Sequence, residues 1–315
     1  MAILCITPNP ALDRILLVPG FAAGGVWRAR ATRAVAGGKG LNVARAVLSL
    51  GEPVRALAPL GGLAGATLAR LAREDGLGLE ALTIAGETRI STIVLDGAGG
   101  ASVVNEPGPE VGAEEWARLI AAARDLATGS EAVAISGSLP SGVAPQDLLA
   151  LARAVASPDG TPTWIDTSGA ALAALLDADH ADRARLALKV NHLEAASALG
   201  PPIKGGAEAG ALARRLVESG FAAVAITLGP AGAVLATPAG LWSAEPPVVA
   251  AVNPVGSGDA FLAGLLAAWV QGPAAALRLA SACGAANAAG QGAGHVEKAS
   301  VAALAARVVV APIDD

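Results

Sequence analysis

The carboxylate of Asp259 comes at the end of a glycine-rich segment, Pro-Val-Gly-Ser-Gly-Asp at 254–259. The residues that follow are apolar with helical spacing, which predicts a helix over about 258–271. In the first turn of a helix the amide N–H groups lack intrahelical partners, and the helix dipole attracts negative charge. The segment therefore predicts an anion site formed by the amides of residues 256–258, with a carboxylate beside it.

Phosphoryl transfer suits this pairing, because that reaction depends mostly on positioning and on stabilising charge. Asp259 would accept the proton of an attacking hydroxyl, while the amides of Gly256, Ser257 and Gly258 stabilise the transferred group. The alternative is that Asp259 only caps the helix. The helix dipole is expected to lower the pKa of Asp259, so positioning would have to outweigh its weakness as a base.

Three other kinds of site fail on the sequence. A Walker loop ending at Lys39 would need glycine where Arg33 stands, and Gly40 follows the lysine in place of serine or threonine. A dinucleotide fingerprint beginning at Gly256 would need glycine at Phe261. The Gly-x-Ser-x-Gly elbow of serine hydrolases is absent from the sequence.

Composition narrows the class of protein. The chain has 315 residues, a net charge of -5 and 53% hydrophobic residues, without the basic runs of a nucleic-acid-binding protein. Its two cysteines and three histidines are scattered, which argues against a disulfide framework or a zinc cluster. The N-terminus lacks the features of a signal peptide, and no apolar run is long enough for a membrane helix. We expect a cytoplasmic protein with neither nucleic-acid nor membrane partners.

Strand-like and helix-like runs alternate along the chain, which predicts an α/β fold with a central, mostly parallel sheet flanked by helices. The predicted strands are Ala2–Thr7, Val54–Leu60, Ala132–Ile135, Thr163–Ile165, Leu186–Val190, Ala223–Thr227 and Val248–Val252. Helices are predicted after Gly40 and over about 65–75, 114–127, 145–156, 207–219, 258–271 and 274–289. We interpret residues 1–315 as one domain, with a small β lid formed by about 11–35 and 88–107.

Several segments together resemble one family. Asn253–Asp259 and the helix after it resemble the C-terminal signature of the ribokinase-like (PfkB) sugar kinases, and Gly37–Ala44 resembles their N-terminal signature. Thr7–Asp13, Asn105–Pro109 and Ser136–Pro140 are similar to the branch of 1-phosphofructokinases and tagatose-6-phosphate kinases. The resemblance extends over nearly the whole chain in the family's order.

The resemblance implies a ribokinase-like fold, ATP and Mg²⁺ as cofactors, and a homodimer formed through the lid. It implies ATP-dependent phosphorylation of a ketohexose monophosphate, with fructose 1-phosphate as the preferred acceptor. Tagatose 6-phosphate or fructose 6-phosphate is the alternative acceptor. A non-catalytic sugar-phosphate sensor is the alternative from another class, although a sensor would not need a base beside an anion site.

The N-terminal half is expected to bind the sugar phosphate. Asp13 and Asn42 could hydrogen-bond sugar hydroxyls, and Lys39 and Arg89 could bind the phosphate already on the substrate. The substrate-binding candidates are Asp13, Gly37, Gly38, Lys39, Asn42, Arg89 and Ser138.

The C-terminal half is expected to bind the nucleotide. The resemblance gives Asn191 and Glu194 a role in holding Mg²⁺, through water, although the same spacing is also that of a helix cap. The nucleotide-binding candidates are Lys189, Asn191, Thr227, Gly229, Gly232 and Asn287.

Overall fold

A ten-stranded sheet forms the centre of the molecule, in a computed structural model that describes residues 2–98, 100–157, 159–200, 202–290 and 292–313. The strands of the described chain are β1 (Ala2–Ile6), β2 (Ala11–Leu17), β3 (Ala31–Gly37), β4 (Val54–Leu60), β5 (Leu79–Thr83), β6 (Arg89–Leu95), β7 (Ala101–Asn105), β8 (Ser130–Ser136), β9 (Thr163–Asp166), β10 (Leu186–Asn191), β11 (Ala223–Thr227), β12 (Ala233–Thr237), β13 (Gly240–Glu245) and β14 (Val309–Pro312). The central sheet has the order β14-β13-β12-β11-β10-β9-β8-β1-β4-β5. The neighbouring strands β5, β4, β1, β8, β9, β10 and β11 are all parallel. Strands β12, β13 and β14 follow β11, and each pairs antiparallel with the strand before it.

Helices cover both faces of this sheet. The helices of the described chain are α1 (Lys39–Ser49), α2 (Gly62–Glu74), α3 (Ala113–Ala127), α4 (Asp147–Ala154), α5 (Gly169–Leu176), α6 (His180–Arg183), α7 (His192–Leu199), α8 (Gly206–Glu218), α9 (Ser257–Ala268), α10 (Pro273–Ala289) and α11 (Lys298–Ala305). Alternate residues of one strand enter different cores: Ile3 and Cys5 pack with α1, α9 and α10, whereas Leu4 and Ile6 pack with α3, α4 and α8. This division follows from the two-residue period of a strand and explains why β1 is apolar without interruption.

A second sheet of four strands, in the order β3-β2-β6-β7, stands beside the first. Strand β2 follows β1 after four residues, pairs antiparallel with β3 and parallel with β6, and β6 pairs antiparallel with β7. The sequence assigned about 11–35 and 88–107 to the lid; β2, β6 and β7 lie within these ranges, and β3 extends two residues beyond the first, to Gly37.

Helices α9 and α10 approach each other closely at Gly264. A Cβ atom at this position would lie 2.6 Å from the Cα atom of Ala280, a distance that real Cβ contacts do not reach. Glycine at 264 therefore lets the two helix backbones touch.

The fold class predicted from the sequence is confirmed, and two of the predicted strands, Val54–Leu60 and Ala223–Thr227, have the predicted bounds. The predicted strand Val248–Val252 is wrong: these residues form an irregular segment after β13, and Val248 is almost fully exposed. Its apolar side chains lie beside a cleft described below instead of inside the sheet. In the described residues no helix is long and apolar enough to cross a membrane.

Candidate active site

The turn before α9 is held in one conformation by side chains from α10 and the turn itself. Gly256 has φ 85°, and a Cβ atom on it would lie 2.7 Å from Ala293 Cβ, so glycine is needed for both reasons. Asn287 Nδ2 donates to Val255 O at 2.9 Å and to Ser257 Oγ at 3.2 Å, and Asn287 Oδ1 accepts from the amide of Gly294 at 2.8 Å. Asn287 thus fixes the turn from the side of α10.

The amides of the turn are not equivalent. Ser257 N–H donates to Pro254 O at 3.2 Å, whereas Gly258 and Asp259 occupy the first turn of α9, where amides have no intrahelical acceptor. A Cβ atom at Gly258 would lie 2.6 Å from Lys189 Nζ. Gly258 is therefore the point where the turn and the lysine side chain meet.

Asp259 is buried among polar groups, with 6% of its surface exposed. Its Oδ2 atom accepts a hydrogen bond from Asn42 Nδ2 at 2.8 Å. Burial and the nearby Asp166 carboxylate raise the pKa of Asp259 to about 6, against the lowering effect of Lys39, Lys189 and Asn42. The helix dipole was expected to lower the pKa of Asp259, but the net shift is upward, with desolvation by burial as its largest cause.

Two lysines and two carboxylates form a cluster next to Asp259. Asp166 is fully buried; its Oδ1 lies 2.7 Å from Lys39 Nζ and its Oδ2 lies 2.7 Å from Lys189 Nζ. Lys39 Nζ also lies 3.2 Å from Glu194 Oε1. Burial alone would raise the pKa of Asp166, but Lys189 and Lys39 hold it below its ordinary range, so this carboxylate stays ionised.

This cluster lies at one edge of the central sheet. Asp166 and Asn191 end β9 and β10, Ser136 ends β8 in register with Asp166, and Thr227 ends β11 in register with Asn191. The carboxyl ends of parallel strands are where open α/β sheets bind ligands.

Residues from β2, β6 and the loops at 7–10 and 137–139 make up the polar side of the site, which we define as Asp13, Asn9, Arg89 and Ser138. Asn9 Nδ2 donates to Ser138 Oγ at 3.1 Å, and Arg89 Nη2 donates to Asn9 O at 3.1 Å. Two further atoms, Asn9 Oδ1 and Arg89 Nε, are buried without a hydrogen-bond partner among the described residues. The polar side therefore has donor and acceptor capacity left for a ligand.

Asp13 connects the polar side with Asp259. Burial raises the pKa of Asp13 to about 7, Arg45 and Arg89 lower it, and the Asp259 carboxylate raises it again. A Cβ atom at Gly37 would lie 2.2 Å from Asp13 Cγ, so the carboxylate fits only against glycine. Gly38 has φ 107° and caps α1, and Lys39 begins that helix.

A large cleft opens on the other side of the turn, with about 1030 Å³ of space continuous with solvent. Its walls are mostly apolar or glycine and include Thr227, Gly229, Gly232, Val248, Gly258, Phe261, Ser281 and Gly284. The nucleotide candidates Thr227, Gly229 and Gly232 line it, whereas Asn287 lies behind the turn.

Asn191 and Glu194 form a capping box at the start of α7. Asn191 Oδ1 accepts from the amides of Leu193 and Glu194, both at 2.9 Å, and Glu194 Oε2 accepts from the Asn191 amide at 2.9 Å. Both residues thus make the cap that the sequence analysis left open, and Glu194 Oε1 remains directed to Lys39. In the part of the chain that the structure describes, no group of three or more His, Cys, Asp or Glu side chains is arranged for a metal ion.

Sequence reasoning missed three members of this site: Asp166, Asn9 and Arg45. Asp166 comes directly after the predicted strand Thr163–Ile165, so its place at a strand end was the signal available. Arg45 lies within α1 and is 2% exposed, although an arginine in a helix is usually at the surface.

A carboxylate with a raised pKa, ammonium groups beside it and a wide cleft at the sheet edge are features of enzymes that transfer phosphoryl groups. The chain belongs to the pfkB family of carbohydrate kinases, because the model of that family, described as pfkB family carbohydrate kinase, matches residues 7–299. Its family, its relatives and its fold identify the class of protein as a sugar-phosphate kinase.

Curated proteins similar to this chain include 1-phosphofructokinases. A 1-phosphofructokinase from Xanthomonas campestris pv. campestris is 34% identical over 266 residues, which cover 84% of this chain and 83% of the relative. A 1-phosphofructokinase from Haloferax volcanii is 35% identical over 270 residues, with the same coverage of 84% and 83%.

The solved structures agree in fold. Phosphofructokinase-2 from Escherichia coli, in complex with substrates and products, has a TM-score of 0.86 and 25% identity, covering 98% of this chain and 99% of that chain. A possible 1-phosphofructokinase from Thermotoga maritima has a TM-score of 0.87 and 22% identity, with both chains covered completely, and supports the fold alone.

Proposed function

We propose that the protein transfers the terminal phosphoryl group of ATP to fructose 1-phosphate, giving fructose 1,6-bisphosphate and ADP. The observation that carries the proposal is the buried Asp259, with a pKa raised to about 6, between the polar side and the large cleft. The choice of fructose 1-phosphate is supported by the name shared by the relatives at 34–35% identity.

In the proposed reaction the acceptor hydroxyl lies against Asp259. One carboxylate oxygen, Oδ2, is occupied by Asn42, which leaves Oδ1 to take the proton. The hydroxyl oxygen forms the new bond to phosphorus while the bond to the leaving oxygen of ADP breaks, and that oxygen keeps the electron pair. With a pKa of about 6, Asp259 is ionised at neutral pH and is still more basic than an ordinary aspartate.

The charge on the transferred group would be met by Lys39, Lys189 and the amide of Gly258. Lys189 Nζ lies against Gly258 at the end of the large cleft, and both lysines are held by Asp166. We therefore assign Lys39 to the transferred phosphoryl group, because it lies with this cluster, and leave Arg89 with the phosphate of the acceptor.

A magnesium ion fits this site only as a companion of the nucleotide. Mg²⁺ commonly uses one or two carboxylates together with substrate phosphates and water, and Glu194 is the carboxylate we propose for it. Asn191 would act indirectly, since its Oδ1 already accepts two amide hydrogen bonds. When bound, the ion would supply positive charge to the phosphate oxygens.

Asp259→Asn tests the proposal directly. The amide keeps the shape and the hydrogen bonding of the site but cannot accept the proton, so kcat should fall by about 10²- to 10⁴-fold. Fructose 1-phosphate binding, measured by calorimetry, should persist. The control is Asp125→Asn, an exposed carboxylate on α3, which should leave kcat unchanged. A loss in Asp259→Asn below tenfold would contradict a general base at this position. The absence of ADP release by the wild-type protein would favour the sensor.

Fructose 6-phosphate is the second candidate acceptor. The structural neighbour phosphofructokinase-2 from Escherichia coli was solved in complex with fructose-6-phosphate, at 25% identity and a TM-score of 0.85. ADP release measured with fructose 1-phosphate, fructose 6-phosphate and tagatose 6-phosphate decides between them. We expect the highest kcat/KM for fructose 1-phosphate, and a higher value for either 6-phosphate would overturn that choice.

The four-stranded sheet is the proposed lid, and its exposed edge is the surface proposed for a homodimer. All five residues of its outer strand β7 are exposed, including Val103 and Val104. An exposed strand edge of this kind favours pairing with another chain. The homodimer stays a prediction, and one neighbouring structure describes phosphofructokinase-2 as tetrameric in an inhibited form.

A further inference from the structure

Arg45 is a buried arginine at the centre of four contacts, and none of them reaches the large cleft. Its Nε atom lies 3.0 Å from Asp75 Oδ2, and its Nη2 donates to Ala36 O. Its Nη1 donates to Asn42 Oδ1 at 3.0 Å and to Ala293 O at 3.3 Å. The guanidinium is thus held by parts of the chain that are far apart in sequence.

The contact with Asn42 determines which end of the amide faces Asp259. A guanidinium has only donors, so Asn42 must present its oxygen to Arg45. Its Nδ2 then points to Asp259, where it donates at 2.8 Å. If the amide were reversed, its oxygen would face the carboxylate and repel it.

We infer that Arg45 is a positioning residue for the reaction: it fixes the Asn42 amide so that a donor always faces the proton-accepting carboxylate. The same guanidinium holds the backbone before Gly37 through Ala36 and the loop against Gly256 through Ala293. Both glycine turns of the site are therefore kept in place relative to Asn42. This inference rests on the proposed role of Asp259.

Other charged groups also lie near Asp259 and Arg45, and their effects on the pKa of Asp259 must be distinguished from the effect of the Asn42 amide. Those that face Asp259 are Asp13 from β2, Lys39 from α1, Asp166 from β9 and Lys189 from β10. Those that face Arg45 are Asp75, Asp13, Arg33 and His295. Arg45 does not contact Asp259 itself, so its effect on the base is expected to pass through Asn42.

The test is the pH dependence of kcat in Arg45→Met, with saturating substrates. Methionine fills the space without donating, so the Asn42 amide is no longer fixed by Arg45. Its hydrogen bond to Asp259 should weaken, and Asp259 should become harder to ionise. A hydrogen bond to a charged group corresponds to a shift of about one pH unit, so the acidic limb of kcat should move toward higher pH by about one unit. The loss of kcat should then be several-fold larger at pH 6 than at pH 8.

Arg45→Lys serves as the second variant because Arg45→Met could fail to fold. Lysine keeps the buried charge next to Asp75 but cannot supply all four contacts, so a smaller shift in the same direction is expected. If Arg45→Met yields no folded protein by circular dichroism, Arg45→Lys decides alone. Arg70→Met, which removes an exposed ion pair with Glu74, should leave the limb in place.

A folded variant whose kcat falls equally at pH 6 and pH 8 would overturn the inference, since a purely structural role lowers the amount of competent enzyme at every pH. Asp259→Asn separates this failure from that of the proposed function. If Asp259→Asn abolishes turnover while the Arg45 variants keep the wild-type limb, only the role of Arg45 is wrong.

Discussion

The polar side of the site and the large cleft meet at Asp259 but differ in what lines them. The polar side presents charged and amide groups: Asp13 and Asn9 are buried and Arg89 is half-buried, and Arg89 and Ser138 both hydrogen-bond Asn9. The large cleft presents glycine, proline and apolar side chains, with Ser281 as one of its few polar groups. A small polar acceptor needs directed hydrogen bonds, whereas a flat, partly apolar ligand such as a nucleotide base needs area and backbone contacts.

Substitutions on the two sides should therefore have different consequences. Changes on the polar side should alter acceptor recognition and the free energy of unfolding together, because its groups are buried and charged. Changes in the cleft should alter nucleotide binding with little effect on the acceptor.

Asp166→Ala is expected to have the largest effect on stability, because it leaves Lys39 and Lys189 without their shared carboxylate. Breaking a buried ion pair in this way typically costs about 3–5 kcal/mol of the free energy of unfolding. Urea unfolding at pH 7 measures it, with the exposed Asp125→Ala as a control that should change little.

The Asp166 difference should also depend on pH. The folded-state pKa of Asp166 is lowered, so its contribution is present above the unfolded value of 3.8 and is lost as the pH falls. The gap between wild type and Asp166→Ala should narrow toward pH 3. A gap of less than 1 kcal/mol at pH 7 would show that the two lysines do not need this partner.

Asp13→Asn tests the polar side. The loss of a charged hydrogen-bond acceptor should raise KM for fructose 1-phosphate by about 10- to 100-fold at pH 8 and leave KM for ATP within about twofold. Steady-state kinetics with each substrate varied measures both. Equal changes in the two KM values would mean that the two sides are not separate.

The same variant should gain stability at high pH. Because the pKa of Asp13 is raised to about 7, its contribution is full below 3.8 and is lost as the pH rises through 7. Asp13→Asn should therefore increase the free energy of unfolding by about 1–3 kcal/mol at pH 8 and by almost nothing at pH 4. Urea unfolding at the two pH values gives the difference, and a loss of stability at pH 8 would contradict it.

Gly284→Leu tests the cleft and should have the smallest effect. The first side-chain carbon at this position would already lie 3.3 Å from Ser257 O and 3.7 Å from Phe261 Cβ, so leucine would narrow the cleft. KM for ATP should rise about tenfold while the calorimetric Kd of fructose 1-phosphate stays unchanged, because steric exclusion acts only on the ligand in the cleft. Ala302→Leu, at an exposed position of α11, is the matched control. A higher Kd for fructose 1-phosphate would show that the cleft and the polar side do not bind their ligands independently.

The strands and helices that position the site were largely readable from sequence, because buried strands are short apolar runs and the helices have periodic faces. The predicted helix 114–127 differs from α3 by one residue at its start, and the predicted helix 207–219 differs from α8 by one residue at each end. Periodicity failed at Val248–Val252, where an apolar run lines a cleft and not a core. It also missed β12 and β13, which are short strands joined by a tight turn.

The site itself was readable only where glycine marks a close approach. Gly256 and Gly258 drew attention to Asp259, and the glycine-rich segment that begins at Gly37 drew attention to Asn42, whereas Asp13 was reached through the family resemblance. The structure brings these three side chains close together. Arg45 has no such marker, because nothing in a helical sequence distinguishes a buried arginine from an exposed one. Its importance comes from contacts with Ala36, Asp75 and Ala293, which only the tertiary structure defines.

The contact at Gly264 limits how far this enzyme could be re-engineered. Helix α9 carries Asp259, helix α10 forms a wall of the large cleft, and their backbones touch where Gly264 meets Ala280. A set of substitutions that widens the cleft by shifting α10 would also shift α9 and Asp259. A wider cleft is therefore better obtained by shortening the side chains that line it. Residues within 246–251 line the cleft and lie outside both helices, so substitutions there can reshape the cleft while the contact at Gly264 is kept.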